Sequence, residues 1–118
     1  PISRLSECIL TAKQDIEDAG IIAPIVGHVG DGNFHVQMLI HPDTREEDLR
    51  VCGEINKKII ERAISMDGTC TGEHGVGQGK IKYLSQEHGE ALSAMRMIKQ
   101  TFDPIGIMNP GKMIVAAD

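Results

Sequence analysis

The chain has 118 residues, 41% of them hydrophobic and 25% charged, and a net charge of −5 from 12 basic and 17 acidic side chains. This balance fits a single globular domain with a modest core and excludes a basic nucleic-acid footprint; with one Tyr, two Phe and no Trp it also lacks an aromatic face on which bases would stack. No apolar run approaches the roughly 20 residues of a membrane-spanning helix, and no signal peptide is visible.

Taken in chain order, apolar residues Leu5, Ile9, Ala12, Ile16 and Ala19 recur at helical spacing, and Gly20 stops the helix they predict over residues 3–19. The chain enters this pattern directly from Pro1 and so reads as a piece of something longer. The β-branched run at 21–26 predicts a short strand, with Pro24 placing it at an edge. Gly30, Asp31, Gly32 and Asn33 are turn residues, and residues 34–40 alternate as a second strand with Phe34, Val36, Met38 and Ile40 on the core side. A helix over 44–66 follows from Thr44 as N-cap, Glu47 completing a capping box, and a stripe of Leu49, Cys52, Ile55, Ile59 and Ala63. Residues 72–79 form a glycine-rich loop. A short helix begins near Ile81, and a longer one runs from about Gln86 to Phe102 with Leu92, Met95, Ile98 and Phe102 inward. Asp103-Pro104 and Asn109-Pro110-Gly111 are breaks. Strands and helices mix without regular βαβ alternation, which makes the class α+β, with all 118 residues in one domain.

Two stretches carry chemistry. In VGHVGDGNFHVQ, residues 26–37, a turn centred on Asp31-Gly32 sets Gly30 opposite Asn33, Val29 opposite Phe34 and His28 opposite His35. Opposed residues share a face with Cβ atoms roughly 5 Å apart, a separation suited to two imidazoles on one ion at about 2 Å each. Gln37 shares that face. A one-residue slip would part the histidines, and two surface histidines on a half-exposed hairpin account for the pair alone equally well. In GTCTGEHGVG, residues 68–77, Glu73 and His74 lie between glycines that permit unusual backbone angles and close ligand approach. On an extended segment the two side chains point apart, one toward a metal and one toward a substrate. Two histidines and a carboxylate form a recurrent ligand set for Zn²⁺ or a similar divalent ion with open positions; a mobile surface loop is the competing reading of this stretch. The run GVGQGK matches neither G-x-x-x-x-G-K-[ST] nor G-x-G-x-x-G, so no nucleotide loop is assigned.

Together VGHVGDGNFH, GTCTGEHGVGQGK and FDPIGIMNPGK resemble the C-terminal region of the FAD-linked 2-hydroxyacid dehydrogenases of the vanillyl-alcohol-oxidase superfamily, nearest to the branch that oxidises D-lactate with a cytochrome acceptor, with glycolate oxidase FAD subunits and D-2-hydroxyglutarate dehydrogenases as relatives. The resemblance covers nearly the whole chain from Ile22. It implies the last part of a ferredoxin-like cap domain and a segment returning to a flavin domain that this sequence does not contain. It implies FAD and a divalent metal, Zn²⁺ or Mn²⁺, as cofactors. His28, His35 and Glu73 fall on the metal ligands, His74 on the catalytic base, and Asn109, together with Glu73, beside the flavin; His74 and Gln37 face the substrate. The hydroxyglutarate branch carries Asn where this chain has Gln37, which weakens that substrate. A small 2-hydroxy acid and an electron acceptor such as a cytochrome or a quinone are the implied partners. The implied location is the bacterial cytoplasm, peripheral to the membrane, or the mitochondrion in a eukaryote. The fragment by itself is expected to be inactive and, with apolar surface left uncovered, to self-associate.

The remaining candidates have plainer readings. Cys8, Cys52 and Cys70 form no regular pattern and read as core residues of a chain in a reducing compartment. Lys80, Lys112, His41 and His88 read as solvated, and Met95 and Met97 as packing residues. From another class, a non-catalytic metal-binding or interaction module accounts for the histidine pair without a flavin, and a purely structural hairpin domain accounts for it without a metal.

Overall fold

The computed structural model describes residues 1–114. The architecture is α+β: among these residues, helices accompany a two-stranded antiparallel sheet, in the order α1 (Ile2–Asp18), β1 (Ile25–Val26), β2 (His35–Val36), α2 (Glu46–Ser65), α3 (Leu84–His88) and α4 (Ala91–Phe102). The chain divides into two compact units, one of Pro1–Gly72 and one beginning at Glu73.

In the first unit, α1 buries Leu5, Cys8, Ala12 and Ile16, spaced so that one stripe faces inward. It ends where the sequence places the stop: Gly20 takes φ 66, its N–H bonds the Glu17 carbonyl, and the Ile21 N–H bonds the Ile16 carbonyl. This paired closure returns Ile21 to the core. Helix α2 buries Cys52, Ile55 and Ile60 and closes in the same way, with Asp67 in the left-handed region at φ 60 and the Gly68 N–H on the Ala63 carbonyl. A Cβ on Gly68 would lie 2.7 Å from that carbonyl oxygen, so glycine is required there. Ile16, Ala23 and Ile55 form the centre of the core, with Ile25, Val36 and Met38 of the hairpin packed against it. Arg62 and Asp15, each less than a fifth exposed, join α2 to α1 through a 2.5 Å ion pair.

The N-terminus of α2 differs from the expected capping box. The helix starts at Glu46, and no side chain caps it. Thr44 is engaged one turn earlier, where its Oγ1 accepts the His41 N–H at 2.8 Å, and Glu47 is held by Arg50. That guanidinium keeps the Glu47 carboxyl below its ordinary range. The stripe is also rotated slightly. Leu49 is 42% exposed, whereas Ile60, outside the predicted stripe, is buried. In the hairpin, Val36 and Met38 pack on the core as expected, but Ile40 lies outside it, 56% exposed, beyond the last cross-strand bond from Leu39 to Ile22.

In the second unit, a 3₁₀ turn at Ile81–Tyr83 runs into α3, burying Tyr83 and Leu84. The short helix expected from about Ile81 extends to His88, and the longer one begins at Ala91 instead of near Gln86. Gly89, at φ 51 and ψ −124, takes a conformation closed to residues with a Cβ and separates α3 from α4. Ile98 and Phe102, expected inward, are 60% and 78% exposed, and α4 buries none of its residues. The stop after α4 carries more structure than a Pro-directed break. The buried carboxylate of Asp103 accepts the N–H groups of Ile107 and Met108 at 2.9 and 3.0 Å and pairs with the Lys99 ammonium. Lys99 first, and then those two N–H groups, hold the Asp103 carboxyl below the usual carboxylate range.

Candidate metal centre

The site begins with the hairpin register. The observed pairs are Ile25 with Val36 and Val26 with His35. His28 is therefore not opposite His35, and the two-residue turn on Asp31-Gly32 is not formed. Instead Val29–Asp31 make one 3₁₀ turn that closes at Gly32 with φ 75. The His28 carbonyl accepts two N–H groups, from Asp31 at 2.9 Å and from Asn33 at 3.3 Å. Gly27 makes the wider turn feasible, since a Cβ there would meet the Asn33 carbonyl oxygen at 2.4 Å and the Phe34 Cα at 2.6 Å. The register moves by two residues relative to the expected one, and an even shift leaves side chains on the same face. The histidines stay together: their ring centroids are 6.4 Å apart and their planes perpendicular. His28 is exposed and His35 half-buried, while Gln37 is exposed one alternation beyond His35.

Asn33, between the histidines, is 8% exposed, and its Oδ1 is buried without a hydrogen-bond partner among the described residues. Gly72 rests on its carboxamide, and a Cβ at 72 would lie 2.4 Å from that oxygen. Sequence reasoning saw Asn33 only as a turn residue; its place between two histidines in a run of glycines was the available signal. Glu73 follows Gly72 by one peptide bond, so its start is placed by the turn on which Gly72 rests. One imidazole nitrogen of His28 lies within 4.8 Å of one of His35, and Glu73 opens the segment that follows Gly72. Two ligands at about 2 Å from a shared ion are at most about 4 Å apart, so small side-chain rotations bring the two imidazole nitrogens within coordination distance.

Glu73 and His74 do not diverge as an extended segment would have them. The chain bends here, and His74 Nε2 lies 3.5 Å from Glu73 Oε1. His74 is 77% exposed at its side chain. Within the second unit, the turn at Asn109-Pro110-Gly111 comes back to this glycine loop: the Lys112 N–H bonds the Asn109 carbonyl at 3.3 Å and the Met113 N–H bonds the Gly77 carbonyl at 3.1 Å. Asn109 adopts φ 46 to make that turn. Cys8, Cys52 and Cys70 are all buried, as expected of core residues, and burial pushes the Cys8 thiol up. His41 is exposed, and its Nδ1 accepts the Asp43 N–H.

Residues 1–113 match the sequence profile of the FAD-linked oxidases, C-terminal domain. The chain belongs to that family. It is 48% identical over 115 residues to a mitochondrial D-lactate dehydrogenase [cytochrome] of Arabidopsis thaliana, an alignment that takes in 97% of this chain and 20% of the relative. It is 45% identical to a probable mitochondrial D-lactate dehydrogenase of Danio rerio, over 97% of this chain and 23% of the relative. A glycolate oxidase subunit GlcD of Bacillus subtilis is 44% identical over 74% of this chain and 18% of its own length. The chain thus spans about a fifth of each relative's length. No helix among the described residues is long and apolar enough to cross a membrane.

Proposed function

We propose that this chain is the C-terminal, substrate- and metal-binding portion of an FAD-dependent dehydrogenase that oxidises a D-2-hydroxy acid, D-lactate first, to the 2-oxo acid. The close pair of His28 and His35 supports the reading, with Glu73 completing the donor set, and family membership supplies the flavin. In this reading the chain is the end of the cap domain plus the segment returning to the flavin domain. The names of the Arabidopsis and zebrafish relatives favour D-lactate over glycolate or 2-hydroxyglutarate, and the cytochrome in the former favours a cytochrome acceptor over a quinone. Mitochondrial names among the eukaryotic relatives support that compartment for a eukaryotic source.

Two imidazole nitrogens and a carboxylate oxygen fit a divalent ion, Zn²⁺ or Mn²⁺, and leave positions for substrate oxygens. When bound, such an ion supplies Lewis-acid polarisation of the substrate hydroxyl, and FAD, when bound, supplies the acceptor for the hydride from C2. The remaining work falls to the protein. His28 and His35 fix one side of the site through the doubly bonded His28 carbonyl and the register of His35. His74 takes the proton of the hydroxyl at an imidazole nitrogen, with the Glu73 carboxylate beside it as a counter-charge for the imidazolium. Gln37, on the histidine face, orients the substrate, and Asn109, held in its turn, faces the flavin. In the complete flavoenzyme, His74→Ala is expected to lower kcat by about 10²–10⁴-fold; near-normal turnover would remove His74 from the role of base.

A further inference from the structure

We infer that Asn33 is a positioning residue of the metal centre, an inference that rests on the reading of His28, His35 and Glu73 as ligands. Asn33 packs, buried, against the stretches of the first unit that carry or lead to those ligands. Its N–H bonds the carbonyl of His28. Its own carbonyl lies so close to Gly27 that no Cβ is tolerated there. Its carboxamide fills the space beneath Gly72, the residue before Glu73, and it precedes His35 by two positions. Asn33 therefore ties the imidazole turn, through its backbone, to the segment that leads to Glu73, through its side chain.

Packing alone does not call for an amide. Oδ1 is buried without a partner among the described residues, and a desolvated acceptor left unpaired opposes folding. A leucine, larger but branched at the same carbon, would occupy that space without that cost. An acceptor oxygen beside a metal centre has an established chemical use, which is to take the second N–H of a ligating imidazole and so fix its tautomer and ring angle. The geometry assigns Asn33 Oδ1 that use once an ion draws an imidazole into its coordinating rotamer.

The test titrates the full chain with Co²⁺, reading its visible absorption and the heat of binding, alongside Asn33→Leu and Asn33→Asp, with urea midpoints as a check on folding. Asn33→Leu is expected to keep or raise the midpoint, to bind about 10–100-fold more weakly, and to shift the Co²⁺ bands; Asn33→Asp, which returns an oxygen to the same place, is expected to restore the bands and most of the affinity. Should Asn33→Leu not fold, Asn33→Ala replaces it, with the same weaker binding expected relative to Asn33→Asp. Unaltered affinity and spectrum in the apolar variant would overturn the role of Asn33 while leaving the ligand set intact. A parent chain that takes up no Co²⁺ would overturn the ligand set itself, and the inference with it.

Discussion

Gly27, Gly72 and Gly53 show how differently one residue type is constrained. At 27 an added Cβ would strike backbone atoms at 2.4 and 2.6 Å, and at 72 it would strike the Asn33 amide, whereas at 53, inside α2, it meets open space. Gly27→Ala is therefore expected to cost at least about 2 kcal/mol and Gly72→Ala about 1–3 kcal/mol, since buried neighbours must move. Gly53→Ala should stabilise by about 0.5–1 kcal/mol through helix propensity. Urea unfolding of the three variants checks the order, and a destabilising Gly53→Ala would contradict it. At this scale the sequence was most informative about residue type: His28, His35 and Glu73 stand out as candidate ligands because their side chains belong to a known donor set. The burial of Asn33 was not legible, because an Asn in a Gly-Asp-Gly context reads equally well as an exposed turn residue.

Among elements, the helix C-termini followed the sequence, since Gly20 and the Asp67-Gly68 pair carry local conformational preferences that tertiary context does not override. The hairpin register and the N-terminus of α2 did not follow it. Register depends on the size of the connecting turn, and Val29–Asp31 form a 3₁₀ turn that composition does not distinguish from a tight one. The cap failed because Thr44 and Glu47 had competing partners, the His41 N–H and Arg50. The Asp103 turn yields a pH prediction. Its carboxyl titrates lower in the folded chain than in the unfolded one, so its contribution is fully present above the unfolded value of about 4 and is lost as pH falls through the lower folded value. The protection of the Ile107 and Met108 amides relative to their intrinsic exchange rates should fall over that acid range, and Asp103→Asn should remove the dependence; unchanged protection in the variant would show that the turn does not rest on this carboxylate. Between α1 and α2, Asp15→Asn should cost about 1–2 kcal/mol, between the values for exposed and fully buried pairs, because Arg62 would be left half-paired.

For the molecule as a whole, two features stand apart from an ordinary soluble surface. Phe102, Ile105 and Ile107 of the second unit are more than 70% exposed, a concentration of apolar side chains that marks a contact surface. Sedimentation velocity of the chain is expected to show mass rising with concentration, and Phe102→Glu to shift it toward monomer; concentration-independent monomer in the parent would contradict this. The other feature is the close pair of imidazoles of His28 and His35, which with the Glu73 carboxylate make the donor set on which the functional reading depends. The direct measurement is calorimetric titration of the chain with Zn²⁺ and Mn²⁺ beside His28→Ala and Glu73→Gln. One ion per chain, with affinity falling by about 100-fold or more in each variant, is the result predicted for a shared three-ligand site. Equal binding by parent and variants would put the ion elsewhere and contradict the account.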